Sequence, residues 1–410
     1  MSLGNLVRAG KPHSAEPSGP NSRLGTYLRR LREGYGYTLR KVEERADVLG
    51  ESIDNSQLSR FEKGKAVPSF DKLRALARIF NIPVQTFSDV LDLEEYEPFK
   101  PTEGGYDELI SAGAGLISRG EFGRAYVYYE RALEVATESA PGAERDEAIA
   151  DSRWRMATTL KRLGKLSMAE HELREILKEC KHLVPRTRMR TLLQLSYLYR
   201  ELGDLLLSSI LAKEALSLSR EVQDPATEAG VLNTMANIAH AEDDFPTAVE
   251  AYGQCLRLLQ SIGGSREMEA IVSVNLGGCM VQAGQGSAGM ELLRRALSDA
   301  RKNGYRRAAA LALTRLGEAF TQQGDLKRAM TSFSESDVFA ARGNNCYHDI
   351  LFLNAYRRWE MARSEENGTR EKIAFGRLRH LRSLLQRRFP EVDAFDSHVD
   401  CNRRRYEVAE

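Results

Sequence analysis

The feature that most constrains the fold of this chain is a short pattern that returns about every 40 residues. Segments such as RGEFGRAYVYYERAL, from Arg119, and QGDLKRAMTSFSESD, from Gln323, share a turn residue, then an aromatic or aliphatic residue, then alanine. The turn residues are Gly120, Gly164, Gly203, Asp243, Gly284 and Gly324. Their spacings are 44, 39, 40, 41 and 40 residues. Such a period predicts helical hairpins that stack to bury one continuous core.

Composition argues against several classes of protein. The 59 basic and 58 acidic residues leave a net charge of +1, so an argument for a nucleic-acid or membrane partner must be local. The five cysteines form no CxxC pair, which argues against a disulfide framework and a structural zinc site. We see no apolar run long enough to cross a bilayer, and residues 1–22 predict a disordered arm rather than a signal peptide. We expect a cytoplasmic protein with no metal and no other cofactor.

Residues 23–92 predict a separate unit of five short helices. Leu24, Leu28 and Leu31 recur at helical spacing in the first helix. Thr38 can cap the second helix, and Gly64 is a typical stop for a third that begins near Asn55 or Ser56. Ser69 can cap the fourth helix, and Pro83 begins the fifth.

The segment LSRFEKGKAVPSFDKLRALARIFNIPVQTFSDVL resembles the second half of the XRE, or lambda/Cro-type, helix-turn-helix. The matching elements are Leu58–Ser59–Arg60, Glu62, Gly64, Pro68–Ser69, the Leu73/Leu76–Ala77 ladder, and Pro83 with Phe87. The resemblance covers about 70 residues. It implies a lambda-repressor-like DNA-binding domain whose third helix enters the major groove of a double-stranded operator.

The same resemblance implies roles for particular side chains. Three residues at the recognition helix are expected to reach base edges: Asn55, Ser56 and Arg60. Three lysines are expected to contact phosphates, which position the protein without specifying a sequence: Lys41, Lys63 and Lys65. Arg32 and Glu62 are expected to form a structural ion pair that fixes the recognition helix.

Two features depart from the helix-turn-helix pattern. Leu39 stands where family members often carry a glutamine that braces a phosphate or base. The turn at 49–54 resembles an insertion of about five residues, and DNA would repel its Glu51 and Asp54. The turn therefore either points away from the DNA backbone or weakens binding. An alternative function for the unit is protein contact, with DNA binding lost.

Residues 93–105, LEEYEPFKPTEGG, have the composition of a linker between domains. From 106 to 390 the repeats resemble tetratricopeptide repeats, with GxFxxAxxxYxxAL best preserved after Gly120. Six pairs follow from the turns, and a degenerate seventh is predicted over 347–388. The expected fold is all-α, a five-helix domain followed by a right-handed solenoid of about seven helix pairs. Residues 391–410 are expected to be a C-terminal tail.

No catalytic motif emerges from the sequence. Gly284–Gly289 fits the dinucleotide fingerprint GxGxxG, but that motif needs a preceding strand, and here a helix precedes it. The seven histidines are scattered, without HExxH, a nucleophile elbow or a Walker loop. We expect a protein that is not an enzyme.

In tetratricopeptide repeats the first helix of each pair lines a groove. With the turn residue at repeat position 15, positions 2, 5, 6, 9 and 12 tend to face inward. The candidate ligand-binding residues on this frame are Tyr197, Arg200, Asn233, Asn237, Asn275, Arg315, Asn354 and Arg358. Asparagine is unfavourable within a helix, and its amide suits the backbone of an extended peptide. Asn237, Asn275 and Arg315 resemble part of a carboxylate clamp, and hydrogen bonding between stacked repeats is the alternative.

The coupling of an XRE domain to such repeats resembles the peptide-pheromone receptors of the RRNPP group. The resemblance is architectural and implies a homodimer, formed through the C-terminal repeats, whose two DNA-binding domains are respaced by a peptide or protein ligand in the groove. Two alternatives remain open. One is a scaffold or adaptor whose helix-turn-helix serves protein contacts, and the other is a regulator controlled by a protein partner.

Overall fold

The computed structural model describes residues 22–180, 182–342, 346–385 and 388–407, and within these ranges all regular secondary structure is helical. Of the arm predicted at 1–22, all but Ser22 lies outside the described residues. The chain divides into two compact units. The first contains the described parts of 1–140 and 151–172, and the second those of 141–150 and 173–410.

The first unit contains the five predicted short helices and the first repeat pair. Its elements are α1 Ser22–Gly34, α2 Leu39–Val48, α3 Asn55–Glu62, α4 Phe70–Ile79, α5 Gln85–Asp92, a 3-10 helix Leu93–Phe99, α6 Tyr106–Ser118 and α7 Phe122–Glu138. It also takes in most of α8 Ala143–Arg162 and the first turns of α9 Leu166–Glu179.

Helices α1–α5 pack around a small apolar core. Its fully buried side chains include Leu24, Leu28, Leu58, Leu76, Phe80 and Phe87. Helix α1 lies directly against α3, because Gly25 has no side chain there. A Cβ at Gly25 would come within 2.6 Å of the carbonyl oxygen of Phe61. This close backbone approach holds α3 at a defined position on the domain.

Residues 93–105 differ from the linker that their composition predicts. The 3-10 helix buries Leu93 completely, and Tyr96 lies against Gly123 of α7. Arg23 of α1 donates to Glu97 and to Glu130 of α7, with its side chain only 10% exposed. The charges that suggest a solvated linker therefore pair with residues distant in sequence. They attach the five-helix domain to the first repeat within one unit.

The second unit contains the remaining helix pairs. They are α10 Pro185–Leu202 with α11 Leu205–Glu221, α12 Pro225–Ala241 with α13 Phe245–Ser261, α14 Arg266–Gln282 with α15 Gly286–Asn303, α16 Arg306–Gln322 with α17 Leu326–Ala341, and α18 His348–Ser364 with α19 Gly368–Leu384. The six predicted turn residues all have positive φ, including Asp243 at 58°. Each therefore adopts the left-handed conformation at the turn that follows the first helix of its pair.

A small residue in the first helix explains the repeating pattern. A Cβ at Gly113, Gly277 or Gly317 would lie 2.5 to 3.0 Å from a large side chain on the second helix of the same pair. Those large side chains are Tyr129, Leu293 and Phe333. Each glycine stands seven residues before its turn glycine, so the two helices of a pair interlock at equivalent positions.

The C-terminal segment is a helix rather than the predicted tail. Helix α20 spans Pro390–Glu407 and buries Val392 and Phe395 against α18 and α19. Phe395 meets the rings of Phe352, Trp359 and Phe375 at centroid distances of 5.4 to 6.0 Å. An amphipathic helix here covers the apolar surface that the last repeat would otherwise expose.

Candidate functional site

The recognition helix α3 begins and ends with well-formed caps. Asp54 accepts a hydrogen bond from the backbone N–H of Gln57 at 2.7 Å, which satisfies the first turn of α3. Gly64, with φ of 63°, ends the helix as predicted, and the N–H of Lys65 donates to the carbonyl of Arg60 at 2.8 Å. Thr38 caps α2 in the same way by accepting from the N–H of Lys41. Short helices with such caps present their side chains in fixed directions.

Arg32 of α1 and Glu62 of α3 lie together. Two guanidinium nitrogens of Arg32 donate to the two carboxylate oxygens of Glu62 at 2.6 and 2.9 Å. A third nitrogen donates to the carbonyl of Tyr37 at 3.0 Å. The side chains are only 14% and 7% exposed. This bidentate pair joins the last turn of α3 to the domain core.

The three residues expected to reach base edges are all exposed on α3. Asn55 and Arg60 have no side-chain partner among the described residues, so their amide and guanidinium donors face solvent. The hydroxyl of Ser56 instead donates to the capping carboxylate of Asp54 at 2.7 Å. One face of α3 therefore offers the amide and guanidinium chemistry that distinguishes adenine and guanine in the major groove.

The expected phosphate contacts divide into two kinds. Lys63 and Lys65 are exposed after α3, and neither forms an ion pair within the ranges that the structure describes. Lys41 is exposed on α2, but its ammonium group lies 3.0 Å from Glu44. Exposed pairs of this kind exchange readily with an outside anion, so all three lysines remain accessible to phosphate.

The long turn at 49–54 is folded against the domain. Ile53 is 2% exposed, and Glu51 pairs with Arg78 of α4 at 3.2 Å. Asp54, the other acid of the turn, caps α3. Of the two acids expected to repel DNA, one is thus bound to an arginine and the other to the helix N-terminus.

In the second unit, a chain of charged side chains crosses the first helices of the last two pairs. Glu318 of α16 accepts from Arg315 at 2.8 Å and from Arg357 of α18 at 2.9 Å. Arg357 also donates to Glu391 of α20 at 2.6 Å. We refer to Arg315, Glu318, Arg357 and Glu391 as the charge ladder.

The charge ladder is largely buried. Glu318 is 8% exposed at its side chain, and Arg315 is 17% exposed. Burial alone would raise the pKa of Glu318, but the charges of Arg315 and Arg357 outweigh it and hold that pKa at about 2. Glu318 is therefore ionised throughout the physiological range and needs both arginines.

His240 of α12 lies near the same ladder. Burial, and then the positive charge of Arg315, lower the pKa of His240 to about 4. The imidazole is therefore neutral near pH 7. Arg315 and Arg200 also act electrostatically on the buried hydroxyl of Tyr252. Polar groups from the first helices α10, α12 and α16 are thus brought to one face of the second unit, which we call the first-helix face.

Several predicted ligand-binding residues on this face already have partners. Asn237 donates to the carbonyl of Asn233 at 2.6 Å and accepts from Tyr252 at 3.0 Å. The hydroxyl of Tyr197 donates to the carbonyl of Gly230 at 3.2 Å. These contacts fit the alternative of hydrogen bonding between helices.

Two predicted ligand-binding residues have side-chain polar atoms without a hydrogen-bond partner among the described residues. The side-chain oxygen of Asn233 is buried and accepts no hydrogen bond from the described residues. Asn275 is half-buried on α14, and its amide likewise has no partner in the described part of the chain. The amide of Asn275 is partly exposed and can meet a ligand backbone, whereas the oxygen of Asn233 would first have to become exposed.

The assignment for the last repeat is wrong by two positions. Glu366, with φ of 51°, occupies the turn position, so Arg357 and Glu360 are equivalent to Arg315 and Glu318. Asn354 is instead fully buried, accepting from Thr314 and donating to Ser336 and Asp337. Arg358 points to Asp337 of α17 at 2.8 Å, away from the charge ladder.

The members of the ladder other than Arg315 were not among the sequence candidates. The sequence pattern that could have identified Glu318 and Arg357 is Arg-x-x-Glu, which occurs at Arg315–Glu318 and again at Arg357–Glu360. It becomes visible only once the last turn is aligned on Glu366. Glu391 could not be found this way, because it lies on α20, outside the repeats.

Comparison with known proteins identifies the N-terminal domain. Residues 23–87 match the family model described as a helix-turn-helix domain. None of the curated proteins matches the chain. Among the residues that the structure describes, no helix is both long enough and apolar enough to span a membrane.

Solved structures of related fold cover most of the chain. The apo form of RapI is 11% identical, covers 68% of this chain and 97% of its own, and has a TM-score of 0.55. A Rap protein complexed with Competence and Sporulation Factor is 17% identical, with coverage of 89% and 98% and a TM-score of 0.53. Aspartyl phosphate phosphatase F from Bacillus subtilis is 12% identical, with coverage of 93% and 98% and a TM-score of 0.51. At these identities the likeness shows the fold alone. The chain is an all-α protein with an N-terminal helix-turn-helix domain followed by tetratricopeptide-like repeats.

Proposed function

We propose that this protein is a cytoplasmic, sequence-specific DNA-binding transcriptional regulator. The observation that carries the proposal is the exposed pair Asn55 and Arg60 on α3, a helix fixed to the domain by the Arg32–Glu62 pair. Ordering a side chain on binding costs conformational entropy. This cost is smaller when the helix that carries the side chain is already held in place. This arrangement is what direct reading of base edges requires.

Binding to DNA as such is tested by its salt dependence. Lys63 and Lys65 are expected to neutralise one phosphate each, so replacing either by Ala should reduce the slope of log affinity against log salt by about 0.9. Lys327→Ala is the matched control, because Lys327 is an exposed lysine of α17 in the second unit. Equal slopes for the wild type, K63A and K65A would contradict the proposal.

We further propose that the first-helix face takes a peptide or protein ligand. Asn275 offers a partly exposed amide without a partner there, and the charge ladder offers arginines that a ligand carboxylate can share. A Rap protein of the same fold is known in complex with Competence and Sporulation Factor. The ligand is proposed to respace two DNA-binding domains in a homodimer formed through the C-terminal repeats.

Two experiments test these parts separately. Peptides selected from a random display library should bind wild-type protein and bind Asn275→Ala more weakly, by roughly tenfold for one buried hydrogen bond lost. Asn303→Ala, at an exposed asparagine of α15, should behave as wild type. No enrichment of peptides, or equal binding by N275A, would contradict peptide sensing. A monomer in analytical ultracentrifugation at micromolar concentration, with and without DNA, would contradict the dimer and favour an adaptor.

A further inference from the structure

A cleft lies between α17, α18 and α19, away from the charge ladder. Its volume is about 370 Å³, within the range of small-molecule sites. Its apolar lining comes from Met330, Ala355, Met361, Ala362, Ile373 and Ala374. Ile373 is 70% exposed, so this apolar wall is uncovered in the described structure. Methionines and alanines leave room and adapt to the shape of a ligand.

One end of the cleft carries two arginines on a single carboxylate. Arg358 and Arg377 donate to the same oxygen of Asp337, at 2.8 and 3.0 Å. The other oxygen of Asp337 accepts from the amide of Asn354 at 2.9 Å. Asn354 is fully buried, and Asp337 and Arg358 are each 16% exposed at their side chains. The buried amide of Asn354 therefore fixes the carboxylate of Asp337, and this carboxylate positions two guanidinium groups at the edge of the cleft.

The lining has a surplus of positive charge. Three arginines line the cleft, Arg358, Arg370 and Arg377, against two acids, Asp337 and Glu365. Glu365 pairs with Arg370 at 3.2 Å. Asp337 alone must balance both Arg358 and Arg377, which leaves one cation without a matching anion among the residues of the cleft. Each guanidinium has five donors, so both can bind a second carboxylate while they keep Asp337.

We propose that this cleft binds a small amphiphilic monocarboxylate. Its carboxylate would bridge Arg358 and Arg377, and its aliphatic or aromatic body would lie on Met361, Ala362 and Ile373. A neutral apolar molecule would leave the surplus cation unbalanced, and a phosphate without an apolar body would leave the cleft wall exposed. The site is separate from the first-helix face, so this inference does not depend on the proposed peptide ligand.

The test compares octanoate with octanamide, which has the same chain and nearly the same shape but no charge. In isothermal titration calorimetry of the full chain, octanoate should bind with one site per chain and about tenfold more tightly than octanamide, the effect of one charge-assisted contact. Arg377→Gln should remove that preference, and Arg379→Gln, an exposed arginine on the same helix, should retain it.

A second variant tests the apolar part. Ile373→Ser alters an exposed side chain, so the fold should be retained, and it should weaken octanoate and octanamide to the same degree. The inference is overturned if octanoate shows no saturable binding, if octanoate and octanamide bind equally, or if R377Q keeps the preference for octanoate.

Discussion

The recognition helix and the first-helix face use polar side chains in opposite ways. On α3, Asn55 and Arg60 are exposed and have no partner among the described residues. On α16 and α18, Glu318 is buried, and it binds the partly buried Arg315 and Arg357. The first surface is complete only when a partner from outside is present. The charge ladder is already satisfied, so a ligand carboxylate there must exchange with existing contacts.

This difference predicts where a substitution changes binding alone and where it changes both folding and binding. Removing an exposed donor on α3 should alter binding and leave folding unchanged. Removing a member of the charge ladder leaves a buried partner without its counter-charge, so folding and binding both change. The following predictions use this contrast, from the largest expected effect to the smallest.

Replacing Glu318 by Gln should destabilise the second unit by about 4 kcal/mol, because both Arg315 and Arg357 lose their shared buried carboxylate. Chemical denaturation of the full chain, followed by circular dichroism, measures the loss. Glu360→Gln is the matched control, since Glu360 is 45% exposed and Arg357 keeps its other partners. Equal stability of E318Q and E360Q would contradict the description of the ladder as buried.

Lowering the pH from 6.5 to 4 should destabilise the wild type through His240 by up to about 3 kcal/mol. The pKa of His240 falls from 6.5 in the unfolded chain to about 4 in the fold, so the unfolded chain binds the proton first as the pH falls. Stability from this group is complete above pH 6.5 and is lost on acidification. His240→Gln should flatten the pH dependence of the unfolding midpoint over this window, and an unchanged slope would exclude the assignment.

Replacing Glu62 by Gln should destabilise the helix-turn-helix domain by about 2 kcal/mol, between the values for exposed and fully buried pairs. DNA affinity should also fall, because the last turn of α3 is no longer held to α1. Glu33→Gln breaks an exposed pair with Arg29 and a longer contact of 3.6 Å with Arg32, so both properties should change much less than in E62Q. If E62Q loses stability but binds DNA as tightly as wild type, the pair does not position α3.

Replacing Asp54 by Asn should raise DNA affinity by roughly threefold, the effect of removing one screened surface charge. Asparagine can also cap a helix, so the thermal midpoint should stay near that of the wild type. Asp54→Ala removes both charge and cap, and its thermal midpoint should fall. Fluorescence anisotropy with labelled duplex gives the affinities, and an unchanged affinity for D54N would show that the long turn lies beyond the reach of DNA.

The sequence predicted those parts of the fold that follow from local periodicity. The turns at Gly120 and Gly324 were recognisable because a left-handed residue between helices favours glycine. The seventh pair was predicted in the wrong register because Glu366 takes that conformation without a glycine to mark it. An error of two positions was enough to place the buried Asn354 on the first-helix face.

Long-range charge pairing was the part that composition could not predict. Glu97 in the segment 93–105 has the character of a solvated linker residue, but Arg23, over 70 positions away, pairs with it. Similarly, Glu391 lies in a polar C-terminal stretch, and its role follows only from the position of Arg357 in the fold. The Arg32–Glu62 pair was predictable because a family resemblance already related those two positions.

The central claim is that α3 reads DNA sequence through its exposed side chains. A random-oligonucleotide binding selection, run on wild type and Arg60→Ala at one fixed salt concentration, tests it most directly. The account predicts an enriched half-site for the wild type and loss of preference at one base position, or of the whole motif, in R60A. No enrichment, or the same motif from both proteins, would contradict the claim.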